Sequence, residues 1–353
     1  MSNRGGSALP RRDIAGDWGE IGGELAGTGV PFVRPAQSQD VPAELVEECE
    51  ALTRERFPWA VEKAEALAGG SGLSAEEFRA WYYGWRTGVG CVTFAVDGKG
   101  CSDGGALVGR NYHWLHMAAA WREVRTIRPR GALAFTSVTH HWCGHTDAMN
   151  EAGLCLFVSS LPQRAPERAG VPWHVLADAV LSTCRTPAEG TRLLLDAQHS
   201  RPFSYMLASG EEEATVVQAT GGNILVQPAA RGMTVTTNHE LQAKRPITDR
   251  ARSVRQLAFV ADTIREAYGE VDERLAWRIL SDHEHLICLG CHPDKGESGY
   301  SDDEWRTLWA MVVRPGECSM TVRVGQACTG FQETITGPGA GDAKVSHGQK
   351  RAR

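Results

Sequence analysis

The chain has 353 residues and is 42% hydrophobic, so it is long enough to bury a core as one large layered domain or as two average domains. The net charge of −6, with basic residues scattered along the chain, argues against nucleic acid or an anionic membrane as a partner and favours a small-molecule substrate. The sequence has no apolar core of a secretory signal near its start, and no apolar run approaches the roughly 18 residues of a membrane span, so we expect a cytoplasmic protein whose ten cysteines are mostly buried thiols.

The first quarter of the chain is predicted to be mainly helical. Between 42 and 67, apolar residues recur at helical spacing, and Pro58 divides this stretch into two helices because proline suits only the first turn of a helix. Ser74 and Glu77 have the spacing of a capping box, in which each side chain accepts a hydrogen bond from the other residue's backbone N–H. A further helix is therefore predicted to start after Ser74 and to end just before Cys91.

The rest of the chain consists of groups of strands and groups of helices. Runs rich in β-branched and aromatic residues, bounded by turn residues, predict strands at 91–95, 109–114, 132–138, 154–160, 204–208, 214–219, 224–227, 233–237, 307–313 and 318–324. Helical periodicity predicts helices at 171–181, 186–195, 251–268 and 271–280. Because strands and helices come in groups instead of alternating one by one, an α+β layered domain is predicted.

Composition divides the chain into four segments. The two ends have little apolar sequence and are expected to be disordered, namely residues 1–15 and the Gly/Lys/Arg-rich tail 329–353. A mainly helical region, 16–90, and the α+β domain, 91–328, lie between them. No internal repeat and no long linker separates these two parts further.

Cys91 is the candidate nucleophile. It opens a strand that is followed, across a glycine-rich turn at 97–100, by a second strand ending at Trp114, which is the pattern of a β-hairpin. A thiol becomes a strong nucleophile when a base takes its proton. Taken alone, Cys91 could equally be a small buried hydrophobic residue. Cys101 is the second candidate, but it falls in the predicted turn.

Six short motifs occur in a characteristic order: Gly90-Cys91, Gly109-Arg110-Asn111-Tyr112, Met149-Asn150-Glu151-Ala152-Gly153-Leu154, Gly170-Val171-Pro172, Thr236-Thr237-Asn238-His239 and Thr307-Leu308-Trp309. In these motifs and their spacing, residues 16–328 resemble the acyl-coenzyme A:6-aminopenicillanate acyltransferase family of N-terminal-nucleophile hydrolases, which is related to bile-salt hydrolases, penicillin V acylase and acid ceramidase. The resemblance implies a four-layer αββα sandwich over 91–328. It also implies a precursor that cleaves itself before Cys91, with 16–90 as a pro-segment-like region.

The resemblance also assigns roles to individual residues. If the Gly90–Cys91 bond is cut, the freed α-amine of Cys91 lies within reach of its own sulfur, and such amines have a pKa of about 8. The thiolate would attack an amide or thioester carbonyl and form an acyl-enzyme, from which water or an amine takes the acyl group. By resemblance, Asn238 donates its side-chain N–H to the developing oxyanion, and Arg110 contacts the amine or the substrate carbonyl. Asparagine at a strand end is also a common turn residue.

Two charged positions depart from the family pattern. His113 stands where the relatives have an aspartate that orients the nucleophile's amine, and Glu304, followed by Arg306, stands where they have an arginine. One hypothesis is that His113 and Glu304 form a pair of reversed polarity, that Cys91 stays internal and that His113 acts as its base. The alternative is that His113 only packs against its neighbours.

The substrates are expected to be a small-molecule acyl donor and an amine or water as acceptor. Trp114 and Trp142 are candidates for an apolar acyl pocket, and Glu304 and Arg306 are candidates for contacts with polar substrate groups. The resemblance favours N-acyl transfer in secondary metabolism, such as antibiotic biosynthesis. Amide hydrolysis stays open as the alternative, because both reactions pass through the same acyl-enzyme. Homo-oligomerisation is also left open.

A different class of function would use the histidines and cysteines. His283-Glu284-His285 and Cys288-Leu289-Gly290-Cys291-His292 have spacings seen at zinc sites and at haem attachment sites, and His140-His141 with Cys143-Gly144-His145 could line either a metal site or the substrate pocket. Haem attachment requires export, and the relatives carry a similar Ile-Cys-Arg-His stretch without metal. We therefore expect no metal and no cofactor, with a zinc-binding or non-catalytic scaffold as the alternative outside the enzyme class.

Overall fold

Eight α-helices lie in the part of the chain that the computed structural model describes, which comprises residues 8–28, 41–84, 90–162, 168–220, 223–242, 251–290 and 305–339. They are α1 (Trp18–Ala26), α2 (Ala43–Arg56), α3 (Pro58–Ser71), α4 (Ala75–Gly84), α5 (Trp173–Thr183), α6 (Pro187–Leu195), α7 (Ala251–Glu266) and α8 (Glu273–Leu280). The predicted helix boundary at Pro58 and the capping box of Ser74 and Glu77 are confirmed. None of the described helices is long and apolar enough to cross a membrane.

The strands of the described ranges form two sheets. They are β1 (Arg11–Gly16), β2 (Gly90–Val96), β3 (Leu107–Leu115), β4 (Glu123–Pro129), β5 (Phe135–Thr139), β6 (Asp147–Asn150), β7 (Cys155–Ser160), β8 (Phe203–Ala208), β9 (Thr215–Thr220), β10 (Asn223–Pro228), β11 (Met233–Thr236), β12 (Trp305–Arg314), β13 (Ser319–Val324) and β14 (Phe331–Thr336). The eight-stranded sheet has the order β1-β4-β5-β6-β7-β8-β9-β10, and the six-stranded sheet has the order β11-β2-β3-β12-β13-β14. The predicted hairpin that begins at Cys91 is formed by β2 and β3.

Three apolar clusters show that the sheets and helices form four layers. One cluster fills the space between the two sheets, where Cys91 and Tyr112 of the six-stranded sheet meet Phe157 of the eight-stranded sheet. A second packs α1 to α6 on the outer face of the eight-stranded sheet. The third packs α7 and α8 on the outer face of the six-stranded sheet. The predicted α+β class with a four-layer αββα sandwich is confirmed.

Two expectations of disorder are wrong in part. Residues 11–15, expected to be disordered, belong to β1, which pairs in parallel with β4. Residues 331–336 of the expected tail form β14, which pairs with β13. Both strands lie at a sheet edge and bury little apolar surface, β1 through Ile14 and β14 through Ile335. Edge strands that are rich in charged and polar residues have no strong apolar alternation, so their sequences read as coil.

Candidate active site

Cys91 lies near the start of a strand inside the six-stranded sheet. It is the second residue of β2, which lies between β11 and β3, and its register partner on β3 is Tyr112. Cys91 belongs to the cluster between the two sheets and is 1% exposed. The thiol is therefore shielded from solvent in this structure, in which the Gly90–Cys91 bond is intact.

Asn238 lies beside Cys91 because the strand that precedes it, β11, pairs with β2. Asn238 Oδ1 accepts a hydrogen bond from the Cys91 backbone N–H at 2.5 Å, and Asn238 Nδ2 donates one to the Ser160 carbonyl at 3.0 Å. A donor on one side and an acceptor on the other fix which amide atom is oxygen and which is nitrogen. Asn238 Oδ1 is thus hydrogen-bonded to the N–H of the Gly90–Cys91 peptide bond. Its Nδ2 has a second hydrogen for a further acceptor.

Ser253, near the start of α7, holds the turn that carries Asn238. Its Oγ accepts a hydrogen bond from the Asn238 backbone N–H at 2.8 Å. The same Oγ lies 2.8 Å from Thr237 Oγ1 and 2.9 Å from His239 Nδ1. This arrangement fixes the position of Asn238 through its backbone. Ser253 could not be identified from the sequence, because this residue lies 15 residues beyond Asn238 and outside every motif.

Arg110 connects the two sheets close to Cys91, because its register partner on β2 is Thr93. It is fully buried on β3, and its Nη1 donates hydrogen bonds to Thr93 Oγ1 and to Ser159 Oγ, both at 2.8 Å. Its Nη2 donates to the Val158 carbonyl, also at 2.8 Å. Ser159 and Val158 belong to β7 of the opposite sheet, so the guanidinium group forms hydrogen bonds across the space between the sheets. The structure therefore places Arg110 next to Cys91 in a supporting position.

Asp147 supplies the countercharge of Arg110. Its Oδ1 lies 2.9 Å from Arg110 Nε, and its Oδ2 accepts a hydrogen bond from Trp309 Nε1 at 2.7 Å. Both charged side chains are fully buried. Removing either partner of such a pair would leave an uncompensated charge in the core. The sequence offered one signal for Asp147, since it stands two residues before the motif that begins at Met149.

The surroundings of Cys91 favour the protonated thiol. Burial raises the pKa of Cys91, because desolvation disfavours the thiolate. The positive charge of Arg110 lowers that pKa, and the negative charge of Asp147 raises it. Hydrogen bonds from the His113 backbone and the Ser159 side chain also lower it. Since burial outweighs these contacts, the thiol needs a base before it can attack a carbonyl.

His113 is not placed to act as the base of Cys91. Its register partner on β2 is Gly90, and successive residues of a strand point to opposite faces, so His113 lies on the face opposite the Cys91 side chain. Its Nε2 lies 3.0 Å from the Ile287 carbonyl and therefore carries the hydrogen. Burial, followed by the positive charge of Arg252, lowers the pKa of His113 to about 3, so the ring is neutral. The hypothesis of a Cys-His arrangement is therefore wrong.

Tyr112 places two histidines in the space between the sheets. Its hydroxyl lies 2.9 Å from His140 Nε2 and 2.8 Å from His141 Nε2, and its ring stacks on Trp309 with 4.1 Å between the ring centroids. Trp114 lies against both histidine rings, at 5.4 and 5.7 Å between centroids. Since Tyr112 is the register partner of Cys91, this aromatic group lies next to the candidate nucleophile.

The other candidate substrate residues are separated by the fold. Trp114 shares the inter-sheet cluster with Cys91, whereas Trp142 packs against Phe78 and Trp81 of α4 in the cluster outside the eight-stranded sheet. Trp142 therefore belongs to the packing of the helical region instead of the expected acyl pocket. Arg306 is half-buried at the start of β12, opposite Trp114 in the register. Glu304 lies outside the described residues, as does its hypothesised pair with His113.

A buried charged cluster attaches the helical region to the rest of the protein. Lys63 of α3 is 1% exposed, forms an ion pair with Asp178 of α5 and donates a hydrogen bond to the Cys143 carbonyl at 3.2 Å. His145 Nδ1 lies 2.7 Å from the other oxygen of Asp178. Burial alone would raise the pKa of Asp178, but the positive charge of Lys63 and the hydrogen bonds from His145 and Lys63 lower it to about 2. The region ahead of Cys91 is thus bound through the core.

The chain is similar to several solved structures, of which the bile acid hydrolase given first supports the fold. A variant of conjugated bile acid hydrolase from Clostridium perfringens matches with 12% identity and a TM-score of 0.53 over 70% of this chain and 92% of that one. Penicillin V acylase from Agrobacterium tumefaciens matches with 15% identity and a TM-score of 0.47, over 70% and 86% of the two chains. The Caenorhabditis elegans N-acylethanolamine-hydrolyzing acid amidase ortholog gives 14% and 0.47, over 64% and 93%.

Comparison of the sequence gives the family. No curated protein matches the chain. Residues 98–328, which follow Cys91 and include β3 to β13, match the family described as acyl-coenzyme A:6-aminopenicillanic acid acyl-transferase. This match covers more than half of the chain and agrees with the order of motifs in the sequence. The protein therefore belongs to the acyl-coenzyme A:6-aminopenicillanic acid acyl-transferase family, and it has the fold of N-terminal-nucleophile hydrolases.

Proposed function

We propose that the protein is an N-acyltransferase that cleaves its own Gly90–Cys91 bond and then transfers acyl groups through an acyl-enzyme on Cys91. One observation carries the proposal. Asn238 Oδ1 accepts a hydrogen bond from the N–H of that same peptide bond, at 2.5 Å. The Cys91 thiol lies close enough to the buried Arg110–Asp147 pair for both charges to affect its pKa. A side chain bonded to the leaving nitrogen and a charge pair beside the sulfur suit cleavage at this position.

Self-cleavage would begin with the sulfur of Cys91 and the carbonyl carbon of Gly90. The S–C bond forms, the C–N bond breaks, and the thiol proton passes to the departing nitrogen, which leaves a thioester on Cys91 and a free α-amine. Water then hydrolyses the thioester, giving the Gly90 carboxylate and a free thiol. The contact with Asn238 Oδ1 would strengthen during the step, because an amine that gains positive charge is a better donor than a neutral amide.

Acyl transfer would use the product of that cleavage. The free α-amine of Cys91, with a pKa of about 8 in free peptides, takes the thiol proton, and the thiolate attacks the carbonyl of an acyl thioester or an amide. The bond from that carbonyl carbon to the donor's sulfur or nitrogen then breaks, and the donor leaves as a thiol or an amine with the proton that the α-ammonium group returns, which gives the acyl-enzyme. An amine or water attacks the acyl-enzyme in the same way, which releases the acyl product and the Cys91 thiol. The second hydrogen of Asn238 Nδ2 supplies the donor for the oxyanion. Arg110 lowers the pKa of the thiol by its charge instead of touching the substrate, because its N–H groups bind β7 and Asp147.

The family favours an amine over water as the acceptor of the acyl group. Its description names an acyl-coenzyme A donor and an amine acceptor, 6-aminopenicillanic acid. By analogy we propose a small-molecule acyl donor and a small amine in secondary metabolism, including antibiotic biosynthesis. Hydrolysis of an amide is the second candidate, since the same acyl-enzyme reacts with water when no amine is bound.

Intact-mass analysis of the purified protein tests self-cleavage. The wild-type chain is expected to give two polypeptides, of which the second begins at Cys91, whereas Cys91→Ala is expected to stay as one chain. Cys101→Ala serves as the matched control and should cleave like the wild type. A wild-type chain that stays intact, or cleavage of Cys91→Ala, would overturn the proposal.

Acyl transfer is tested on the processed protein. Short-chain and aromatic acyl thioesters are added without an acceptor, and a mass increment equal to the acyl group is expected on the peptide that begins with Cys91. Addition of a small amine should then release the acyl amide faster than water releases the acid. Faster release by water would favour the amidase, and absence of any increment with every donor would favour a non-catalytic protein.

A further inference from the structure

Three side chains of the kind that bind zinc meet on the outer side of the six-stranded sheet. His283 and Cys288 follow α8, and Cys328 lies between β13 and β14. One ligand atom from each of them lies within 4.8 Å of the other two. Cys288 is buried, while His283 and Cys328 are half-buried. We propose that His283, Cys288 and Cys328 bind one zinc ion that connects the two segments.

The distance between the two sulfur atoms fits zinc better than it fits a disulfide. Cys288 Sγ and Cys328 Sγ are 3.9 Å apart. A disulfide requires about 2.05 Å between its sulfurs. In a tetrahedral zinc site with Zn–S bonds of about 2.3 Å, two thiolates lie about 3.8 Å apart. The sulfurs are therefore already at the separation that a shared zinc ion requires.

The ligand set and its exposure also suit zinc. Thiolate and imidazole ligands favour zinc over magnesium or calcium, which prefer oxygen. Two cysteines and one histidine leave a fourth position for water, a donor set known from zinc proteins. Binding releases one proton from each thiol, so the neutral imidazole and two thiolates compensate the charge of the ion. The half-buried Cys328 and His283 give the ion a route to the buried Cys288.

The loop after α8 is folded so that His283 and Cys288 face the same point. The Cys288 backbone N–H donates to the Asp282 carbonyl at 2.8 Å, which brings the two ends of the loop together. Leu286 makes the reversal with φ of 58°, in the left-handed region that a branched side chain seldom adopts. Contacts hold it there, because the Leu286 carbonyl accepts a hydrogen bond from Gln256 Nε2 at 2.5 Å. Such a conformation persists where surrounding contacts stabilise it.

The structure selects different residues from those of the sequence motif. His285, which the motif would pair with His283, stacks on Phe259 with 4.0 Å between centroids, and its Nδ1 lies 3.2 Å from Asp282 Oδ1. Cys328, which lies far from the motif in sequence, takes part instead. Cys291 and His292 lie outside the described residues and are not part of the proposed site.

The zinc ion would stabilise the loop that packs against β3, the strand that forms a hairpin with β2. The Ile287 carbonyl, in the middle of the loop, accepts hydrogen bonds from Asn111 Nδ2 at 2.8 Å and from His113 Nε2 at 3.0 Å. Both residues belong to β3, and His113 is the register partner of Gly90. An ion that joins Cys288 to Cys328 would therefore fix this loop against β3.

Metal analysis of the full-length protein tests the proposal. After passage over a chelating resin under reducing conditions, the wild-type protein is expected to retain about one zinc ion per chain. Cys288→Ser and Cys328→Ser are each expected to lose it. Cys184→Ser, a cysteine on α5's side of the other sheet, is the matched control and should retain zinc. Zinc retained by both site variants, or no zinc bound by the wild-type protein after titration with zinc salt, would overturn the proposal.

A spectroscopic measurement avoids dependence on variants that fail to fold. Replacement of zinc by cobalt in the wild-type protein should give a thiolate-to-cobalt charge-transfer band together with the strong visible bands of a tetrahedral ion. Absence of the thiolate band, or peptide mapping that finds a Cys288–Cys328 disulfide in freshly purified protein, would refute the site. Neither result depends on whether Cys91 is catalytic, so the two proposals fail or succeed separately.

Discussion

At Asn238, one side-chain amide has two separable chemical capacities. Its Oδ1 binds the Cys91 nitrogen, which is the leaving group of the proposed self-cleavage. Its Nδ2 donates to the Ser160 carbonyl and has a second hydrogen for the oxyanion of acyl transfer. A replacement that keeps an oxygen and removes the NH₂ group therefore affects the two reactions differently.

We expect Asn238→Asp to cleave itself and to be impaired in acyl transfer. The carboxylate still accepts a hydrogen bond from Cys91, but it has no donor for the oxyanion, and loss of one such donor costs about 10²–10³-fold in rate. Intact mass reports cleavage, and initial rates of acyl release report turnover.

Two further variants complete this test. Asn238→Ala lacks both contacts and should be slow in cleavage as well as in transfer. Asn223→Asp changes an exposed asparagine on β10 and should behave as the wild type in both assays. Equal impairment of both reactions in Asn238→Asp would contradict the division of roles, as would an unchanged transfer rate.

At the scale of elements, a buried ion pair adds to the apolar packing of α3 against the core. Lys63 is buried and pairs with Asp178, which also binds His145. Breaking a buried ion pair by removing one partner costs about 3–5 kcal/mol, because the remaining charge has lost its compensation. The attachment of the helical region should therefore depend strongly on this residue.

Lys63→Met keeps most of the apolar stem and removes the charge. We expect its free energy of unfolding in urea to fall by about 3–5 kcal/mol. In the processed protein, the helical region should also separate from the remainder in size-exclusion chromatography at moderate urea concentration. Arg54→Met, which removes an exposed ion pair between neighbouring turns of α2, is the control and should change little. Equal behaviour of the two variants would show that the buried pair does not hold the region.

Elements whose signal lies in a few neighbouring residues were predictable from the sequence, and these include the edge strands β10 and β11. The edge strands β1 and β14 and the interior strands β4 and β6 were not predicted. The helices that begin at Pro58 and after Ser74 follow from proline and capping chemistry, which act over a few residues. The hairpin of β2 and β3 follows from its turn residues. β1 and β14 lie at sheet edges and need few apolar residues, so their strand character depends on the neighbours with which they pair.

The candidate site was predictable only where sequence neighbours carry the chemistry. Cys91 and Asn238 stand in motifs, and the pairing of β11 with β2 brings them together. Asp147 and Ser159 act on Cys91 across the space between the two sheets, and sequence alone does not give the register of two packed sheets. The role expected for His113 failed for a related reason, the register within one hairpin. His113 opposes Gly90 of β2, so its side chain lies on the face opposite the Cys91 side chain.

At the scale of the whole molecule, burial keeps several histidines of the described residues neutral. Burial lowers the pKa values of His113, His140, His141, His145 and His174 below the ordinary value of about 6.5. As the pH falls below about 6.5, the unfolded chain takes up protons at these sites while the folded chain does not. The contribution of these groups to stability is therefore complete above that pH and is lost progressively below it.

We expect the urea midpoint of unfolding to fall steeply between pH 7 and pH 5. Each histidine that is protonated only in the unfolded state lowers the free energy of unfolding by about 1.4 kcal/mol per pH unit. His174→Phe removes one of these titrating groups and should make the dependence of the free energy of unfolding on pH shallower by about that amount. The substitution breaks no hydrogen bond, since neither ring nitrogen of His174 has a hydrogen-bond partner among the described residues. Urea titrations across this pH range give the slopes, and a midpoint that does not change with pH would contradict the prediction.

The pairing of β1 with β4 has a consequence for how the active enzyme must be made. β1 precedes the proposed cleavage site, yet it forms the last rung of the eight-stranded sheet, most of which follows that site. A polypeptide whose translation started at Cys91 would have a bare edge at β4 and a buried Asp178 without Lys63. If Cys91 is freed by the proposed self-cleavage, we therefore expect the part of the chain ahead of it to be needed while the remainder folds, so that a chain encoded from Cys91 onward would not reach the same structure.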